Sequence, residues 1–165
     1  MWFSFLRNES VRKWCSVALL NVFAMAVSAA QSGDFTYATN INNAVSITGY
    51  TGSGGDVTIP GTLDGKTVTV IGDRAFQDCD TLTGVTLPDS VTNIEEDAFT
   101  DCTGLTNVWL GAGVRTIGED AFDSCTALTG IVIPDSVVSL GVDAFIMCGG
   151  MTNAVLGGGL TEIGG

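Results

Sequence analysis

Ile71, Ile94, Ile117, Leu140 and Ile163 stand 23 residues apart, and the residues between them repeat in register. Four full copies follow one another, at 71–93, 94–116, 117–139 and 140–162. A unit this short cannot bury a core of its own, so the copies must stack and share one. The period therefore dictates a solenoid. Ile163 opens a fifth copy that is cut short, which would leave the apolar side and strand edge of the fourth uncovered. We therefore expect the chain to be a fragment of a longer protein, or to self-associate through the uncapped C-terminal coil.

Within each copy the positions read as two halves. Leu82, Val85 and Leu87 follow an LxxLxL pattern, as do Leu105, Val108 and Leu110, and Leu128, Ile131 and Ile133; the fourth copy is looser, with Met151, Ala154 and Leu156. Alternation puts Val85 and Leu87 inward and residue 86 outward, as a strand requires, and stacking aligns these strands into a parallel sheet. The other half carries Asp-x-Ala-Phe-x-x-Cys in near-identical form, with Phe76/Cys79, Phe99/Cys102, Phe122/Cys125 and Phe145/Cys148. The i, i+3 spacing of Phe and Cys predicts a short helix opposite the sheet. The acids ahead of it (Asp73, Glu95, Glu96, Asp97, Glu119, Asp120 and Asp143) suit helix N-termini, where they cap free N–H groups. Ahead of the regular copies, DFTYATN and AVSITGY flank Ile41-Asn42-Asn43, as expected of a β-hairpin. Val57-Thr58-Ile59-Pro60 matches the VTLP of the first copy, but Pro60 lies farther from Ile71 than Pro88 from Ile94. The surplus around Leu63-Asp64-Gly65-Lys66 predicts a bulging loop.

The string A-F-x-x-C-x-x-L-T-x-V-x-[IL]-P-x-S-V-x-x-I-G resembles the BspA-type leucine-rich repeats of bacterial and some protist surface proteins. The resemblance runs over 57–165, and the lead-in GYTGSGGDVTIP is similar to that family's entry segment. The chain departs from it in the Gly-rich turns Gly111-Ala112-Gly113 and Gly157-Gly158-Gly159, and in the degenerate fourth copy. The resemblance implies an α/β repeat fold, a leucine-rich-repeat solenoid with a parallel β-sheet, short helices on the opposite side and an N-terminal β-hairpin cap. It also implies a secreted or surface protein of a kind that includes adhesins for host or matrix proteins.

Residues 1–30 read as a signal peptide. Arg7, Arg12 and Lys13 precede an apolar core from Val17 to Val27, and Ser28-Ala29-Ala30 supplies small residues for cleavage before Gln31. The core is too short to anchor the chain across a bilayer. The remainder divides into a β cap with a partial coil at 31–70 and the repeat solenoid at 71–165. Without the signal, Lys66, Arg74 and Arg115 face seventeen acids, for a net charge of −14. Such a polyanion repels phosphate backbones, so nucleic acid and anionic lipid are not expected partners.

Candidates for chemistry are few. Cys79, Cys102, Cys125 and Cys148 fall one per copy and read as a ladder of small buried thiols, with disulfide bridges the lesser alternative because parallel Cβ vectors on neighbouring coils fit that geometry poorly; no His or paired CxxC supports a metal site. Calcium held by the recurring acids is a remote alternative, since no Asp-rich loop of ligand spacing is present. Absence of His removes Ser-His and Cys-His mechanisms, and no phosphate-binding Gly-Lys motif occurs. We therefore expect no enzyme and no cofactor. The outward strand positions are Gly84/Thr86, Asn107/Trp109, Gly130/Val132 and Asn153/Val155. Trp109 flanked by Val132 and Val155 gives an apolar strip with one polar handle, the composition of interface hot spots. Asn107, Trp109, Val132, Asn153 and Val155 are thus the candidate contact residues for an extracellular protein or glycan. The rival expectation is a structural or spacer module, its strip set by strand propensity alone.

Overall fold

The computed structural model describes residues 29–164, so nearly all of the segment read as a signal peptide lies outside the described residues. Strands β1 (Ala30–Ser32), β2 (Phe35–Thr39) and β3 (Val45–Tyr50) form an antiparallel meander. The β2–β3 turn is set by Asn40, whose Oδ1 accepts from the backbone N–H groups of Asn42 and Ala44, and by Asn43 at φ 59°. Next come β4 (Gly55–Thr58), β5 (Thr62–Leu63) and β6 (Lys66–Ile71). The expected bulge around Asp64 is instead a tight β5–β6 hairpin, Asp64 (φ 48°) and Gly65 (φ 75°) supplying the two left-handed residues that such a turn requires. The Asp64 carboxylate accepts from the Tyr37 and Ser32 hydroxyls, which ties this hairpin to the cap.

From there the chain winds in coils with two strands each. The LxxLxL strands are β7 (Leu82–Thr86), β9 (Asn107–Trp109), β11 (Gly130–Ile133) and β13 (Asn153–Leu156). The periodic Ile/Leu positions end β8 (Asn93–Ile94), β10 (Thr116–Ile117), β12 (Ser139–Leu140) and β14 (Glu162–Ile163). This second array is the longer one. It runs β1-β2-β3-β6-β8-β10-β12-β14 and is parallel from β3 onward, so the cap extends the sheet rather than sitting across its end. The LxxLxL array pairs as β4-β7-β9 and β11-β13. Val85, Leu87, Ile131 and Ile133 point inward, as alternation requires.

The short helices are absent from the described residues. The Ala-Phe-x-x-Cys segments are successive turns, because the residues before Ala and before Cys are left-handed. Arg74, Asp97, Asp120 and Asp143 lie at φ 51–55°, and Asp78, Asp101, Ser124 and Met147 at φ 56–59°. Each left-handed residue turns alternate N–H groups out of the local turn. Asp97, Phe99 and Asp101 donate to the carbonyls of Glu119, Ala121 and Asp123 in the next coil, while Thr100 and Cys102 donate three residues back. A helix would satisfy these groups internally; here every second one crosses to the neighbour. The acids before Ala are therefore not helix caps. Asp is among the residues that best tolerate the left-handed region.

The Gly-rich turns of copies two and four have a packing cause. Asp89 and Asp135 accept from the backbone N–H of Ala112 and Gly158 in the next coil. A Cβ at Gly113 or Gly159 would lie 1.9 Å from the carbonyl of Asp89 or Asp135. Pro-Asp-Ser coils thus alternate with glycine coils, a two-coil rhythm laid over the single-coil period.

The core is an aromatic column. Phe76–Phe99, Phe99–Phe122 and Phe122–Phe145 stack with ring centroids 4.9, 5.0 and 5.2 Å apart, and Tyr50 continues the stack into the cap at 5.2 Å from Phe76. Leu82, Leu105 and Leu128, with Ile71, Ile94 and Ile117, pack around it, all fully buried or nearly so.

Three outcomes follow. Phe99→Ala removes a ring stacked on both sides and is expected to cost about 3–5 kcal/mol in denaturant unfolding. Met147 is exposed at φ 56°, so Met147→Gly is expected to stabilise by about 0.5–1 kcal/mol, the relief of left-handed strain less the entropy of a glycine. Desolvation, then the neighbouring Asp78, Asp123 and Asp80, push the Asp101 carboxyl above its ordinary pKa; desolvation, then Asp97, Asp123 and Asp143, do the same to Asp120. A raised acid binds its proton more tightly when folded, so its penalty is present above the folded pKa and relieved as pH falls through it. Asp64 is held low by its hydrogen bond from Tyr37, and that contribution is lost at still lower pH. Thermal melts should therefore show Tm rising on mild acidification from neutrality and then falling, with Asp101→Asn raising Tm at neutral pH and shrinking the rise.

Candidate functional site

The face of interest is built by β4, β7 and β9 together with β11 and β13. Register sets two outward columns. One holds Asp56, Gly84 and Asn107, then Gly130 and Asn153; the other holds Thr58, Thr86 and Trp109, then Val132 and Val155. Trp109, Val132 and Val155 are 54%, 61% and 48% exposed, and Asn107 and Asn153 are exposed as well. The ladder pairs Val132 with Val155 and Asn153 with Gly130, whereas β9 and β11 form no continuous ladder. The expected single sheet is thus two, and Trp109 and Val132 stand on their facing edges.

A threonine column runs beside this face. The hydroxyls of Thr106, Thr129 and Thr152 each donate to the carbonyl of the threonine one coil earlier, at 2.8, 3.4 and 3.2 Å. These bonds join coils where ladder pairing is short, and Thr106 Oγ1 also accepts from the Asn107 amide. The side chains of the strip are therefore carried on a backbone fixed at every coil.

Asp56 and Gly84 change the local picture. A Cβ at Gly84 would lie 2.7 Å from Asp56 Oδ1 and 3.5 Å from Trp109 Cζ3. The indole thus leans diagonally back over the bare Cα of Gly84, and the carboxylate stands on its other side. Thr83 Oγ1 donates to Asp56 Oδ1 at 2.7 Å and orients it. Sequence reasoning missed Asp56, although the match of VTIP to VTLP was the signal that extends the outward column one coil upstream.

The cysteines occupy the core rather than this face. Cys102 and Cys125 are fully buried free thiols donating to the Phe76 and Phe99 carbonyls, and half-buried Cys148 donates to Phe122. Burial pushes the Cys102 thiol up to about 12, which suppresses thiolate chemistry. Cys79 shares the buried register but is disulfide-bonded, so the expectation of four thiols holds for three. Among the described residues no group of three or more His, Cys, Asp or Glu side chains is placed to hold a metal ion.

Residues 56–165 match the family described as BspA type leucine rich repeat region (6 copies). Among solved structures, a Treponema pallidum (T. pallidum) leucine rich repeat protein is 36% identical, with a TM-score of 0.79 over 83% of this chain and 64% of that one. A leucine-rich repeat protein from Bacteroides capillosus is 31% identical, with a TM-score of 0.68 over 79% of this chain and 99% of that one. A leucine rich cell surface protein from Faecalibacterium prausnitzii is 29% identical, with a TM-score of 0.65 over 84% of this chain and 45% of its own length. This chain thus spans just under two thirds of the Treponema protein and nearly all of the Bacteroides one. No curated protein matches. Repeat by repeat and coil by coil, then, the chain belongs to the BspA-type leucine-rich repeat family.

Proposed function

We propose that this protein is a non-catalytic recognition module, secreted or displayed at the cell surface, that binds a protein or glycan through the strand face around Trp109. The carrying observation is the exposure of Trp109, Val132 and Val155 on a face whose other side is the closed core. An indole that is half exposed on a rigid strand loses little entropy on being covered, which is why such residues dominate binding energy. The burial of Cys102 and Cys125 and the family match, which indicates no catalytic family, support a non-enzymatic role. Location outside the cell is supported by the description of the Faecalibacterium relative as a cell surface protein.

The second reading is a structural or spacer module that assembles by its coils. It is favoured by Met147 and Ile163, exposed at 70% and 63% and next in the chain to Ile146 and Gly164, which line an open depression together with Leu140 and Phe145. One experiment separates the two. Wild type and Trp109→Ala are compared on a panel of matrix proteins and a glycan array, with light scattering on both. Recognition expects at least one ligand whose affinity falls about tenfold or more in the variant while its melting temperature is unchanged. Concentration-dependent assembly, indifferent to Trp109 and accompanied by no ligand, would establish the spacer.

A further inference from the structure

We infer that the partner is a protein presenting a basic segment, and that one of its arginine side chains seats on Trp109 against the carboxylate of Asp56. This rests on the recognition reading above and names its chemistry.

The geometry comes from one missing side chain. Because Gly84 has no Cβ, Asp56 Oδ1 and the Trp109 ring edge close over its buried backbone, 2.7 and 3.5 Å from where that Cβ would be, so carboxylate and indole stand side by side and one group laid across their exposed outer sides touches both. Asp56 Oδ1 is held by Thr83, and among the described residues no hydrogen bond or ion pair occupies its second oxygen. A guanidinium suits both walls, since its plane stacks on an aromatic face while its edge donates to a carboxylate. The indole supplies the negative quadrupole face and the carboxylate the full charge.

Charge points to a cation rather than a neutral sugar. Asp56 is the single charged residue among the ten outward positions of the face, from Asp56 and Thr58 through Asn153 and Val155. Among the described residues no ion pair engages it. Arg74 is paired with Asp97 at 2.7 Å and Asp73 at 3.2 Å, and Lys66 lies over the Tyr37 ring. The chain carries a net charge of −12, which draws a basic partner toward the surface, while the apolar strip at Val132 and Val155 receives the aliphatic parts of the same segment.

The test measures anisotropy of a labelled hexa-arginine peptide against the full chain at physiological ionic strength, with chitohexaose titrated in parallel. Trp109→Ala and Asp56→Asn should each weaken peptide binding about three- to fivefold or more, with Trp109→Phe retaining part of it. Glu119→Gln, which removes the same unit of charge from a turn outside this face, should change it less than twofold. Far-UV circular dichroism confirms that each variant is folded. Equal weakening by Asp56→Asn and Glu119→Gln, or no effect of Trp109→Ala, overturns the arginine seat in favour of diffuse attraction. Trp109-dependent binding of chitohexaose in place of the peptide also overturns it, yet leaves the recognition reading standing. Failure of both probes to depend on Trp109 counts against the seat and against the role of this face together.

Discussion

Everything in this protein depends on one distance, the spacing between coils. Hydrogen-bonded strands lie about 4.7–4.9 Å apart, and stacked aromatic rings are comfortable at nearly the same separation. The phenylalanine column meets that condition at 4.9–5.2 Å, so ring stacking and backbone pairing do not compete. A ring of another shape in one coil would force either the rings or the ladders off register. The constraint reaches the cap, where Tyr50 takes the position of a phenylalanine and β3 that of a periodic strand.

That spacing also explains why the turns are left-handed. Successive coils can share hydrogen bonds all round only if the backbone at the Ala-Phe side turns some of its N–H groups along the solenoid axis. The left-handed residues before Ala and before Cys do this, and three of the four before Ala are aspartates. The acids that give the chain its charge are thus partly a consequence of backbone geometry. Desolvation, and after it their crowding, raises the pKa of Asp101 and Asp120, a local cost of the turn chemistry.

The outward strand face shows the same economy. Positions 84 and 107, and 130 and 153, lie side by side in the ladders, and the alternation of glycine with asparagine leaves gaps between side chains. Trp109 fills one such gap diagonally and so brings its ring beside an acid two coils away. A side chain at position 84 would have to displace the Asp56 carboxylate and press on the indole.

The period, the inward alternation of Val85 and Leu87, and the hairpin after Asp34 were legible in the residues, because stacking and strand pairing act on side-chain pattern at fixed spacing. Trp109, Val132 and Val155 were legible as outward for the same reason. The Phe-Cys spacing misled, since i, i+3 contact is equally compatible with consecutive turns, and only hydrogen bonds to the next coil distinguish them. The break between β9 and β11, the origin of the glycine turns in the close approach of the Asp89 and Asp135 backbone carbonyls, and the meeting of Asp56 with Trp109 across Gly84 belong to the tertiary structure. Each is a relation between residues of different coils, whose outcome depends on how far one backbone is displaced from the next. Sequence by itself determined that coils stack and which side chains line them; the stacked structure decided how the turns close and what the outer face presents.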